Sequence, residues 1–86
     1  MSPKQFARIR EKHLELSQTE LAELLGLSGK GPISHYENGF RNPSPLIKAV
    51  MSYFDSLSKN DAKAFMKILK RHMDAVQDDE RRRRRE

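Results

Sequence analysis

Apolar residues recur along this chain at spacings of three and four, and no stretch alternates with period two, so the pattern predicts helices throughout. Phe6, Ile9, His13 or Leu14, and Leu16 mark a first helix over residues 3–15, with Pro3 in its opening turn. Ser17 and Glu20 have the spacing of a capping box, and Leu21, Ala22, Leu24 and Leu25 follow until Gly26 ends a second helix of about two turns. "PISHYEN" is a third helix, with Pro32 early and Gly39 as its stop. Ser44 caps a fourth helix beginning at Pro45, whose apolar face is Leu46, Val50, Tyr53, Phe54 and Leu57. After Ser58 to Asn60 a fifth helix runs from Asp61 through Val76, with the stripe Ala62, Phe65, Leu69, Met73 and Val76, widened by Met66 and Ile68.

The fold class expected is therefore all-α, with five helices and a long last one. Two helices joined at Gly26, the second one short, form a helix-turn-helix. The run "LSQTELAELLGLS…ISHYENGFRNPS" resembles the Cro and phage-repressor type of helix-turn-helix, the XRE family, over residues 6 to 57. Six elements of that pattern stand here in order: Leu-Ser-Gln, Leu-Ala, Leu-Gly, Ile-Ser, Glu-Asn-Gly and Pro-Ser. Four residues separate Ser28 from Ile33 where the family has three, and this glycine-rich turn is similar to that of some antitoxins.

The chain has 86 residues, which is one domain's length, with a core too small for much spare stability. We divide it into a helix-turn-helix core over 1–57, a C-terminal helix over 58–77 that closes the core and can pair two copies, and a charged tail over 78–86. There is no cysteine, so disulfides and thiolate metal sites are excluded. No apolar run approaches the ~20 residues that span a bilayer, and "MSPKQFARIR" has no signal-like apolar region, so a cytoplasmic protein is expected. Net charge is +5, and its source is not the arginine run. Residues 77–86 hold five Arg against four acids, or +1, whereas the first 76 residues hold 12 Lys and Arg against 8 acids, or +4. The folded part is itself basic, which suits a polyanion.

Lys30 between two glycines raises the possibility of a phosphate-wrapping loop. A P-loop needs a strand before it and four residues between its first glycine and Gly-Lys-Ser/Thr. Only two residues lie between Gly26 and Gly29, Gly31 follows Lys30, and a helix precedes, so the turn reading is preferred. His13, His35 and His72 are scattered, so no metal site is expected, and no nucleophile–base pair is present, so neither enzyme activity nor a cofactor is expected.

A helix with its side chains matches the ~12 Å width of the major groove, and such motifs read bases from the N-terminal part of their second helix. With Ile33 and Tyr36 turned inward, Lys30, Gly31, Ser34 and His35 form the outward edge. Lys30 can donate to guanine, Ser34 serves either base type, and His35 donates or accepts. The resemblance implies that Gln18 bridges a phosphate and a recognition-helix side chain, that Asn38 and Arg41 grip neighbouring phosphates, and that Ser28 belongs to the same DNA-binding set. It also implies a structural pair between Glu37 and Arg10. Ser17 is a cap whose amide can still touch phosphate. Tyr36 packs in the core, with a phosphate contact as the alternative. Leu69, Met73 and Val76 are the candidate dimer seam. In the tail, Asp78–Arg82, Asp79–Arg83 and Glu80–Arg84 have helix-supporting spacing.

The function expected is sequence-specific binding of double-stranded DNA by a homodimeric transcriptional regulator, a repressor on an inverted-repeat operator with half-sites ~34 Å apart. The alternative is an antitoxin that also binds a toxin protein. A third reading is a pure protein-interaction module, against which Gln18, Ser34 and Arg41 argue. No membrane partner, separate sensing domain or small-molecule ligand is expected.

Overall fold

A computed structural model describes the backbone of residues 1–85 and the side chains of residues 1–82, and among them every regular element is helical. Helix α1 (Pro3–Arg8) starts at Ser2, whose side chain and that of Gln5 cap each other's backbone amides. Its continuation, Ile9–His13, widens into a π-helical turn, with the Leu14 amide donating to the Ile9 carbonyl five residues back at 2.8 Å. The single helix expected over residues 3–15 thus changes pitch after Arg8 and ends at His13. Glu15 then takes a left-handed φ of 57°, which turns the chain toward α2 (Gln18–Leu24).

The Ser17–Glu20 capping box is present, with bonds of 3.0 and 2.9 Å. These bonds to Ser17 hold the Glu20 carboxyl below its ordinary value. A depressed folded pKa means a contribution present above the unfolded value and lost as pH falls into the acid range, so the cap fails only under acid conditions. Helix α3 is Lys30–Asn38, two residues earlier than Pro32 implied, and Gly39 ends it in the left-handed region. Helix α4 (Pro45–Ser56) has the expected Ser44 cap. Helix α5 (Lys59–Arg85) begins two residues before Asp61 because Ser58 caps the Asp61 amide.

Every helix contributes to one core. Phe6, Ile9 and Leu14 come from the first, Leu21, Ala22 and Leu24 from α2, Ile33 from α3, Met51 and Phe54 from α4 and Ala62 from α5. Phe65, Met66 and Leu69 pack against that cluster from α5. Full burial of one of the larger side chains contributes roughly 1.5–3 kcal/mol, so the eight that are not alanine oppose the ordering cost of a short chain. The α4 face is rotated by one position from the one expected. Met51 and Ile47 turn inward with Val50, Phe54 and Leu57, whereas Leu46 is 73% and Tyr53 51% exposed. Phe65 packs at this seam. Its ring meets Phe54 and Tyr53 edge-on, each at 5.2 Å, so one α5 residue claims the groove beside α4.

Helix α5 is about 40 Å long at 1.5 Å per residue, close to the molecule's 43 Å long axis. It crosses the α2–α3 turn at Gly26. That glycine has φ +71°, and a Cβ added there would come within 2.5 Å of Met73 Cε. From Asp74 to Arg82 all side chains are exposed, so the helix leaves the core as an arm. In it Arg81 approaches Asp78 at 4.0 Å, while the expected partners Arg83 and Arg84 lie outside the described side chains.

Gly26→Ala is expected to destabilise the fold by about 1–2 kcal/mol, the cost of a left-handed alanine, with Met73 displaced as well. For a domain of this size that is a fall in melting temperature of about 4–8 °C per kcal/mol, readable by thermal unfolding. An unchanged melting temperature would show that the turn adopts another geometry at no cost.

Candidate nucleic-acid interface

Three side chains on one side of α3 fix its roll. Ile33 is fully buried, Tyr36 lays its ring edge-on against Phe6 at 5.6 Å, and Glu37 reaches back to helix one. Arg10 grips that carboxylate twice, Nε donating to Oε2 at 2.6 Å and Nη2 to Oε1 at 2.9 Å. Its remaining donors reach the Leu16 carbonyl at 2.9 Å and Glu11 at 3.0 Å. The Glu37 bond raises the Arg10 guanidinium above its ordinary value, against the opposing effect of burial, so Arg10 stays charged. The Glu37–Arg10 pairing implied by the family pattern is present.

Gln18 sits at the first position of α2, and its Nε2 donates to Glu37 Oε1 at 3.2 Å. The recognition-helix half of the bridge implied for Gln18 is therefore made through Glu37, and α2 is tied to α3 at the end where a phosphate would approach.

With 33, 36 and 37 inward, the opposite side of α3 carries Gly31, Ser34, His35 and Asn38. His35, Asn38, Lys30 and Gly31 are exposed, and Ser34 is half-buried. Asn38 Nδ2 donates to Ser34 Oγ at 3.3 Å, which orients both polar groups on the outer face. Ser28 and Arg41 are exposed at the two ends, and the Arg41 amide donates to the His35 carbonyl at 3.3 Å, folding the following loop back on the helix. A Cβ at Gly31 would meet nothing within 4 Å, so the fold does not require its smallness.

Serine side chains cap the other helices, but α3 starts at Gly29 without a side-chain cap. Its first amides are left for another acceptor. The charge pattern agrees. From Ser28 to Phe54 the one acid is Glu37, which is held by Arg10, while Lys30, Arg41 and Lys48 are basic.

Sequence reasoning missed one residue on this face. Phe40 is 80% exposed, and its ring meets His35 edge-on at 6.0 Å. It stands in a turn, outside any helical period, so periodicity carries no signal for it. The α5 residues proposed for a dimer seam divide differently from the stripe. Leu69 packs against the core and Met73 lies by Gly26, while Val76 is 54% and its neighbour Ile68 50% exposed. Among the described residues no cluster of His and acidic side chains is placed to hold a metal, and no helix is long and apolar enough to cross a membrane.

Residues 6–47 match the model of the helix-turn-helix family, a span from the first core phenylalanine to the opening of α4. No curated protein and no solved structure shows significant similarity to the chain. The matched span holds the capped α2, the Gly26 turn, the α3 edge and the Arg10–Glu37–Gln18 cluster. Over that span the chain is similar to the XRE type of helix-turn-helix, a family of DNA-binding transcription regulators.

Proposed function

We propose that this regulator is a homodimeric repressor that occupies an inverted-repeat operator, reading bases with Lys30, Gly31, Ser34 and His35 and phosphates with Gln18, Ser28, Asn38 and Arg41. The observation that carries this reading is the outer side of α3: polar, exposed and free of carboxylates, on a helix whose roll is fixed from behind. Phosphate contacts set its affinity, and base contacts its sequence preference. One edge with three or four base contacts specifies few base pairs, so two copies are needed to define a site. The surface we assign to their pairing is the flank of α5 holding Ile68 and Val76, since these large apolar residues are half exposed. Repression then follows from occupancy of DNA that polymerase must enter.

An antitoxin reading has a surface of its own. A groove of about 580 Å³ runs between α2 and α5, floored by Leu16, Leu24, Leu27 and Met66, and shares no residue with the α3 edge. Recovery of a small toxic protein on the tagged chain would favour that reading.

The central test is selection of duplexes from a random pool by the full chain. An inverted repeat with half-sites about one helical turn apart is expected, and enrichment of no sequence would overturn the proposal.

His35→Ala is expected to cut discrimination between the selected site and a single-base variant by about tenfold, within the 1–3 kcal/mol of a good base contact, with unchanged thermal stability. Undiminished discrimination in a mobility-shift competition removes His35 from base reading. Arg41→Ala is expected to weaken all sequences alike and to reduce the slope of log affinity against log salt by about one. A slope equal to the wild type's excludes a phosphate contact. Val76→Asp places a charge on the α5 flank outside the core and is expected to sediment as a folded monomer. Retention of the wild-type mass would place the seam elsewhere.

A further inference from the structure

Phe40 is the exception among the four phenylalanines. Phe6 and Phe54 are buried to 1% or less, and Phe65 packs against the core, but Phe40 is 80% exposed. Leaving such a side chain in water forgoes roughly 1.5–3 kcal/mol of burial, so the fold gains nothing from it.

Its position is set on both sides. Gly39, at φ 80°, reverses the chain at the end of α3, and the Arg41 amide is fastened to the His35 carbonyl. Between these anchors the ring leans edge-on against the His35 imidazole, with centroids 6.0 Å apart. The apolar group is thus held against a residue of the base-reading edge. The ring it meets there, that of His35, belongs to a polar, exposed residue.

Resting on the DNA reading above, we infer that Phe40 is a specificity residue that contacts the C5 methyl of a thymine, while His35 hydrogen-bonds on the same or the adjacent base pair. The major groove offers one apolar group on its base edges, the thymine methyl, and Phe is among the side chains that meet it. The imidazole and phenyl rings form one unit with a hydrogen-bonding tip and an apolar shoulder. That unit matches a base edge on which a polar atom and a methyl lie side by side. A phenyl ring resting on deoxyribose would use the same exposure but would read no sequence. A protein contact would pair it with the exposed Leu46 at the start of α4.

The test uses the full chain and the duplex it selects from a random pool. Thymines in that duplex are replaced one at a time by deoxyuridine, which removes only the methyl. At one thymine per half-site the wild type is expected to lose about fourfold in affinity, and about fifteenfold when both half-sites are changed, the effect of burying one carbon at each. Phe40→Ala is expected to bind the thymine and deoxyuridine duplexes equally, with the wild type's melting temperature and sedimentation. Phe40→Leu is expected to keep part of the preference. The inference is overturned if the wild type is indifferent to every replacement, or if Phe40→Ala keeps the methyl preference. A sedimentation change in Phe40→Ala assigns the ring to a protein contact and overturns it equally. Failure of the pool to yield any duplex instead removes the DNA reading and this inference together, so the two failures are told apart.

Discussion

The fork between Arg10 and Glu37 is the constraint on which the recognition face depends. Both side chains are nearly out of water, 9% and 10% exposed, and their two contacts are short. Loss of either partner strands a charge in a place where water cannot solvate it, which costs far more than the pair itself contributes. The same carboxylate accepts from Gln18, so helix one, α2 and α3 meet at one group. Packing by Ile33 and Tyr36 sets the depth of α3, and the carboxylate sets its roll. A helix that presents a chosen edge to a groove needs both.

That fork also governs the electrostatics. A free carboxylate on the short recognition helix would repel phosphate at close range. Taken up by a guanidinium that is kept charged, it leaves Lys30 and Arg41 to define the potential of this side. The α2–α5 side is different, with Glu20, Glu23 and Asp74 set among Lys63, Lys67 and Lys70. A net charge of +5 is modest, and it matters here because it is sorted. Totals along a chain cannot express that sorting, which exists only after folding.

What was legible in the sequence was the part encoded locally. Ser17 with Glu20, Ser44 with Pro45, and the stops at Gly26 and Gly39 each act within a few residues, and each stands where the pattern put it. The family pattern added Arg10–Glu37, a contact across 27 residues that periodicity cannot reach. The π-helical turn was not legible, because its cause is distant. Arg10 must reach Glu37 and His13 must meet the Phe54 carbonyl at 2.8 Å, and no neighbour in sequence announces either demand. The roll of α4 was missed for a similar reason. Leu46 and Met51 are equal candidates by hydrophobicity, and only packing against elements distant in sequence separates the exposed one from the buried one. On the site, residue types and helix ends pointed to the polar edge, but nothing local separates Phe40 from a core phenylalanine.

The glycines around Lys30 now divide by physical role. Gly26 is required by the fold, since its backbone is left-handed and Met73 fills the space a side chain would take. Gly31 lies within α3 and faces open space, so nothing inside the molecule asks for a glycine there. Alanine is the better helix former, by up to ~1 kcal/mol. A residue that weakens a helix without serving its packing is explained by what must approach the helix from outside. On the DNA reading proposed above, at the first turn of an uncapped helix, that is the close passage of a base or a phosphate to the backbone. The stretch that looks like a phosphate loop by composition thus holds two different glycines, one turning the chain and the other leaving the first turn of α3 open on its outer side.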